Sequence, residues 1–231
     1  MISSWLAFWD KPHSIYVNAR HKDVHYRLIA EALAALVPSP GARVLDYGCG
    51  EALHADLVAA AAGELLLCDG APSVRTALAQ RFAGNPKIRA LAPEEVEQLP
   101  DQSLDFIALH SVAQYLTPEQ TQTLLKLFRR LLRPAGILLV SDVIPPQTTA
   151  ATDIAALLRF GAANGVVLAA ISGIARTLFS DYRYLRARLG LARYSEAAMT
   201  EKLAAAGFVA QRSPKNLGHN PARMAFIARP R

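Results

Sequence analysis

Short apolar runs and amphipathic stretches alternate through most of this chain, and the alternation sets the fold. Val24, Leu28, Ile29, Ala32, Leu33 and Leu36 recur at helical spacing and stop at Pro38-Ser39-Pro40-Gly41. Beyond that stop the pattern predicts a strand over 42–47, a helix over 51–62, a strand over 64–69 and a helix over 72–82. Strands over 87–91 and 104–110 follow. Thr117-Pro118-Glu119 supplies a cap and a first-turn proline for a helix over 117–132, which Arg133-Pro134-Ala135-Gly136 ends before a strand over 137–143. Strand–helix alternation of this kind predicts an α/β fold with a parallel, doubly wound sheet. After Pro145-Pro146 it breaks. Residues 147–193 read as helices with no strand among them, and a helix over 195–206 leads into two last strands, 208–213 and 223–229.

A chain of 231 residues buries a sizeable core and is most simply one domain with additions. We read it as a single domain, 1–231: an N-terminal flap and helix (1–40), a core (41–146), a helical insert (147–193), and a closing helix and strand pair (194–231). The net charge of +6 suits RNA, DNA or an anionic membrane surface, and equally a soluble enzyme rich in Ala and Arg, the reading favoured on composition. Cys49 and Cys68 fall at neighbouring strand ends and read as small buried residues, not as a disulfide framework. With no signal-peptide pattern at Met1–Trp5, a cytoplasmic location is expected. The insert is strongly apolar from Ile154 to Phe179, but its longest uncharged run, bracketed by Arg159 and Arg176, is too short to span a membrane. It reads first as a lid over a hydrophobic substrate, then as a surface docking on anionic membrane, then as dimer contact or core.

Val44-Leu45-Asp46-Tyr47-Gly48-Cys49-Gly50 carries the candidate chemistry. It is a strand running into a glycine turn, the geometry by which an open α/β sheet presents main-chain N–H groups to a nucleotide-like ligand. Asp69 ends the next apolar run, where a carboxylate is placed for a ribose diol. Leu53 stands where a dinucleotide fingerprint needs Gly or Ala, and no Lys-Ser/Thr follows the glycines, so neither a dinucleotide site nor a P-loop fits. His21 and His25 have ligand-like spacing without the glutamate of a zinc motif, and no metal site is expected.

Asp46-x-Gly48-x-Gly50 resembles the first motif of class I S-adenosylmethionine-dependent methyltransferases of the type 11 kind, and the likeness extends over roughly residues 40–145. Leu99-Pro100, Ser103-Leu104-Asp105-Phe106-Ile107 and the Arg133–Gly136 junction match further family features, with Ala52 and Ala135 replacing glycines. The resemblance implies a Rossmann-like sheet of seven strands, mostly parallel with a C-terminal antiparallel strand, and a helical insert before the last two. It implies S-adenosyl-L-methionine as cofactor, held by Asp46, Gly48, Gly50, Asp69, Gly70, Glu95, Val96 and His110, with Tyr16 and Arg20 reaching over from the flap. Asp105 is chiefly structural in the family. His110 and Tyr115 lie beside the methyl acceptor and are the candidate catalytic residues, with a hydrogen-bonded strand end as the plain alternative for His110. The expected acceptor is a small molecule, hydrophobic or lipid-like if the insert is a lid, with peripheral membrane contact as a second role for that insert. Nucleic acid is not favoured, because no Asn/Asp-Pro-Pro-aromatic motif follows the fourth strand. A non-catalytic cofactor-binding or docking module is the alternative from another class.

Overall fold

The computed structural model describes residues 4–11, 18–165, 181–218 and 220–231. Tyr16 and residues 166–180 of the apolar insert lie outside them. Two N-terminal helices, α1 (Trp5–Trp9) and α2 (Ala19–Ala34), precede the sheet. The core then runs β1 (Arg43–Tyr47), α3 (Ala55–Ala61), β2 (Glu64–Cys68), α4 (Pro72–Arg81), β3 (Ile88–Leu91), α5 (Pro93–Glu97) and β4 (Leu104–His110). A 3₁₀ turn at Ala113–Tyr115, α6 (Pro118–Leu131) and β5 (Leu132–Val143) complete it. The C-terminal part holds α7 (Ala150–Ala163), α8 (Asp181–Leu189), α9 (Glu196–Ala205), β6 (Phe208–Arg212) and β7 (Met224–Pro230).

The seven strands form one sheet in the order β3-β2-β1-β4-β5-β7-β6. Every pairing from β3 to β5 is parallel, and β7 runs antiparallel to both β5 and β6. Strand alternation sends successive side chains to opposite faces. Leu45, Ile107 and Leu109 therefore join Leu125, Phe128 and Phe226 in one core layer, while Val44, Phe106 and Ala108 join Ile29, Val58 and Leu78 in the other. The strand order reverses between β1 and β4, which opens a crevice at their carboxyl ends, the place where such sheets bind ligands.

Two boundaries differ from the sequence pattern for local reasons. The helix expected from Glu51 starts at Ala55, because Ala52 takes φ +42, a left-handed conformation that no helix interior allows. The last parallel strand begins at Leu132, not Ile137. Leu132 pairs with Leu104, and the register shifts before the Phe106–Ile137 pair. Asp105 ties this junction down, accepting hydrogen bonds from the Arg43 main chain (2.8 Å) and the Arg133 guanidinium (2.6 Å). Among the described residues no helix is long and apolar enough to cross a membrane.

Candidate active site

The turn after β1 is built almost wholly from main-chain contacts. Gly48 and Cys49 both donate to the Cys68 carbonyl, at 2.7 and 3.0 Å, which draws the loop onto the tip of β2. Gly48 has φ +75, and a Cβ there would fall 2.2 Å from a Val112 methyl, so glycine is required on both counts. Asp69 locks the loop from the neighbouring tip: one carboxylate oxygen accepts from Gly50 N–H at 3.0 Å, the other from Ala71 N–H at 2.9 Å. Helix α2 closes the far side. Tyr26 Oη accepts from Glu51 N–H at 3.1 Å, and the Lys22–Glu51 (2.5 Å) and His54–Asp23 (2.8 Å) pairs hold the helix there.

Asp46 lines the crevice, and among the described residues no group donates a hydrogen bond to its carboxylate. Burial, then the nearby Asp69 charge, raises its pKa to about 7. Burial also raises Asp69, opposed by its two main-chain donors and by Arg75. Burial pushes the Cys49 and Cys68 thiols well up, so both stay protonated and neither is a nucleophile.

Across the crevice, β4 and β5 end in a polar relay. His110 Nδ1 lies 2.9 Å from Ser141 Oγ, and its Nε2 lies 3.3 Å from Ser111 Oγ. Ser111 donates its hydroxyl to Asp142 at 2.5 Å, and Asp142 N–H donates to Asn216 at 2.9 Å. Ser111 (φ +58) and Asp142 (φ +62) are both left-handed without being glycine, a strain that clusters at functional sites. The aromatic wall stands next to them: Trp5 and Trp9 pack on Tyr115 with ring centroids 4.7 and 5.5 Å away, and Phe8 stands behind. Helix α1, which supplies three of these rings, is pinned to the start of α4 by Ser73, whose N–H donates to the Asp10 carboxylate at 2.8 Å. Its Leu6 side chain reaches to 3.0 Å of where a Gly70 Cβ would lie. The glycine turn, the relay and the wall enclose one cavity of about 1460 Å³.

Of the residues singled out in the sequence, Asp46, Gly48, Gly50, Asp69, Gly70, His110 and Tyr115 line this cavity together. Glu95 and Val96 do not. Glu95 turns back to accept its own helix's Ala92 N–H at 2.7 Å, Val96 is fully buried, and Pro93 is the α5 residue on the cavity wall. Arg20 is exposed beside Gly165 and is not among the residues of the cavity wall. His21 and His25 stack at 6.4 Å, and no group of residues able to hold a metal ion occurs among the described residues. Ser111, Asp142, Asp153 and Arg223 line the cavity without any motif to announce them.

Residues 45–140 match the methyltransferase domain family. No curated protein sequence matches the chain. Among solved structures, magnesium protoporphyrin IX methyltransferase (ChlM) from Synechocystis PCC 6803, determined with bound SAH, is 17% identical. That alignment covers 97% of this chain and 92% of ChlM, with a TM-score of 0.61. The DhpI–SAH complex is 15% identical over 99% of this chain and 96% of DhpI, with a TM-score of 0.62. At such identities the likeness is one of fold. The core of the chain thus carries the methyltransferase-domain match, and the fold around it is the one these SAH-bound structures share.

Proposed function

We propose that this enzyme transfers a methyl group from S-adenosylmethionine to a small, hydrophobic acceptor, as a cytoplasmic single-domain protein. The observation that carries the cofactor half of this reading is Asp46, a carboxylate on the cavity wall that no described residue satisfies. A ligand with an ammonium group answers it, because a buried carboxylate is costly until it is paired. Asp69 keeps lone pairs free beyond its two main-chain donors and suits a ribose diol, and the left-handed Gly48 and Gly50 turn the main chain of the loop onto the cavity wall. S-Adenosylmethionine, when bound, supplies a methyl group on a positively charged sulfur. The chain's own work is then to position the acceptor and exclude water, which is worth roughly 7–11 kcal/mol for well-oriented reactants.

Trp5, Phe8, Trp9 and Tyr115 form the apolar wall for the acceptor, with Tyr115 acting through its ring. For an acceptor that must lose a proton, His110 is the base and keeps that proton as imidazolium, which Asp142 stabilises through the intervening Ser111 hydroxyl. Calorimetric titration with S-adenosylhomocysteine tests the cofactor half. Micromolar binding is expected, weakened about tenfold or more by Asp69→Ala through the lost contacts at Gly50 and Ala71. No binding by the unmodified protein would overturn it.

A further inference from the structure

The end of the cavity farthest in sequence from the glycine turn is built around an imbalance of charge. Asp153 of α7 accepts from two guanidiniums: Arg223 Nη2 at 2.9 Å on one carboxylate oxygen and Arg186 Nη2 at 3.3 Å on the other. Asn220 Nδ2 adds a third donor to Asp153 at 2.9 Å. The carboxylate is thus close to saturated, while the two guanidiniums retain most of their ten N–H donors. Arg223 also reaches Gln114 Oε1 at 3.4 Å, a neutral partner, and its side chain is only 9% exposed. Asp142, the next carboxylate on this wall, takes the Ser111 hydroxyl and the Asn216 amide, not a guanidinium among the described residues. Among the described side chains two cations therefore share one anion at a partly buried place, where screening weaker than in bulk water favours a second anion.

Asp153, Arg186, Asn220 and Arg223 all line the cavity, and Leu157, Leu189 and Leu191 line it with them. Leu191 packs against the Trp5–Phe8 pair, which joins this polar end to the aromatic wall. We propose that Arg223 and Arg186 bind a carboxylate of the acceptor, so that the acceptor is an amphipathic acid with its apolar body against Trp5, Trp9 and Tyr115. The name acceptor rests on the methyl-transfer reading; the anion site does not. Planar guanidinium donors match a carboxylate in geometry as well as charge, which gives the site its selectivity.

Three probes with one apolar body and different heads test this: phenylpropionate, phenylpropanol and phenylpropylamine. Each is titrated with and without S-adenosylhomocysteine, followed by tryptophan fluorescence and by saturation-transfer NMR. The acid is expected to bind about tenfold tighter than the alcohol, the worth of a charge-assisted pair, with the amine weakest. Arg223→Gln should level acid and alcohol while S-adenosylhomocysteine affinity stays within about twofold. Should Arg223→Gln fail to fold, Arg186→Gln at the more exposed partner is expected to cut the preference to about threefold or less. The proposal is overturned if the alcohol or the amine binds as well as the acid, if none of the three binds, or if the preference survives substitution. Failure of S-adenosylhomocysteine to bind would instead count against the cofactor reading, and the order of the three probes would still decide this one.

Discussion

At the β1–β2 end of the cavity the polar contacts come from residues 46–51 and 68–71, two short segments at neighbouring strand tips, with Tyr26 closing them from α2. At the other end Gln114, Asp142, Asp153, Arg186 and Arg223 converge from five separate stretches of chain. The first end works through main-chain amides and a left-handed glycine, so its shape follows from the fold and from a few fixed positions. The second works through side-chain charge, and its shape follows from packing between elements far apart in sequence. One cavity thus joins a part set by the strand tips of this sheet architecture and a part set by long-range packing. Substitutions at the two ends should separate cofactor affinity from everything else.

The largest effect is expected from Gly48→Ala. The new Cβ meets a Val112 methyl at 2.2 Å and the backbone stays at φ +75, so overpacking and conformational strain add. A loss of about 3–4 kcal/mol in urea unfolding is expected, with S-adenosylhomocysteine affinity down by about a hundredfold or more. Val112→Ala in the same chain should return part of the stability by removing the clash, while the backbone strain remains. Asp153→Ala strikes the other end. It leaves Arg223 without its carboxylate, and because Arg186 and Asp153 are 29% and 21% exposed the cost is screened to about 2–3 kcal/mol. Cofactor affinity should hold within about twofold. If it fell as far as stability did, the two ends would be one coupled unit and the comparison would fail.

The same division explains what could be read from the sequence. Asp46, Gly48, Gly50 and Asp69 were legible because strand periodicity and a glycine pair locate strand tips, and a doubly wound sheet gathers those tips at its switch point. The start of α3 was not, because nothing in the residue type forces Ala52 to φ +42. Glu95 shows a real competition: a glutamate at the third position of a helix caps its own first turn as readily as it reaches a ligand, and here it caps. Asp153 and Arg223 lie 70 positions apart and meet only once α7 and the segment before β7 have packed. Ser111 and Asp142 owe their placing to left-handed backbone that only glycine would have signalled.

The pH dependence of cofactor affinity sharpens the contrast further. Asp46 rises from 3.8 to about 7 through burial and then through Asp69. A ligand ammonium prefers the ionised carboxylate, so S-adenosylhomocysteine affinity should fall about tenfold per pH unit below about 7 and level off above it. Burial raises Asp69 as well, opposed by its two main-chain donors and Arg75. Folding stability moves oppositely: the native form keeps a proton that the unfolded chain has released, so this group's contribution falls as pH rises from about 4 to 7. Calorimetry from pH 6 to 8 on Asp46→Asn should give a weaker and much flatter profile. An unchanged slope in that variant would assign the titration elsewhere.

The smallest effect separates the hydroxyl of Tyr26 from the helix that carries it. Tyr26 Oη accepts Glu51 N–H and stands 2.7 Å from where a Gly50 Cβ would lie, so it fills the space that glycine leaves and fixes the far side of the turn. Tyr26→Phe removes one hydrogen bond of about 1 kcal/mol while the ring stays, and S-adenosylhomocysteine affinity should fall about fivefold. Lys22–Glu51 and Asp23–His54 continue to hold α2, so stability should change little. Lys22→Ala is the control, since it loosens the helix and spares the hydroxyl. If Lys22→Ala weakens binding as much as Tyr26→Phe does, the docking of α2 matters and not its phenol. If Tyr26→Phe alone does so, the cofactor end includes one side chain from outside the sheet, contributed by the N-terminal helix and seated in the space that Gly50 leaves.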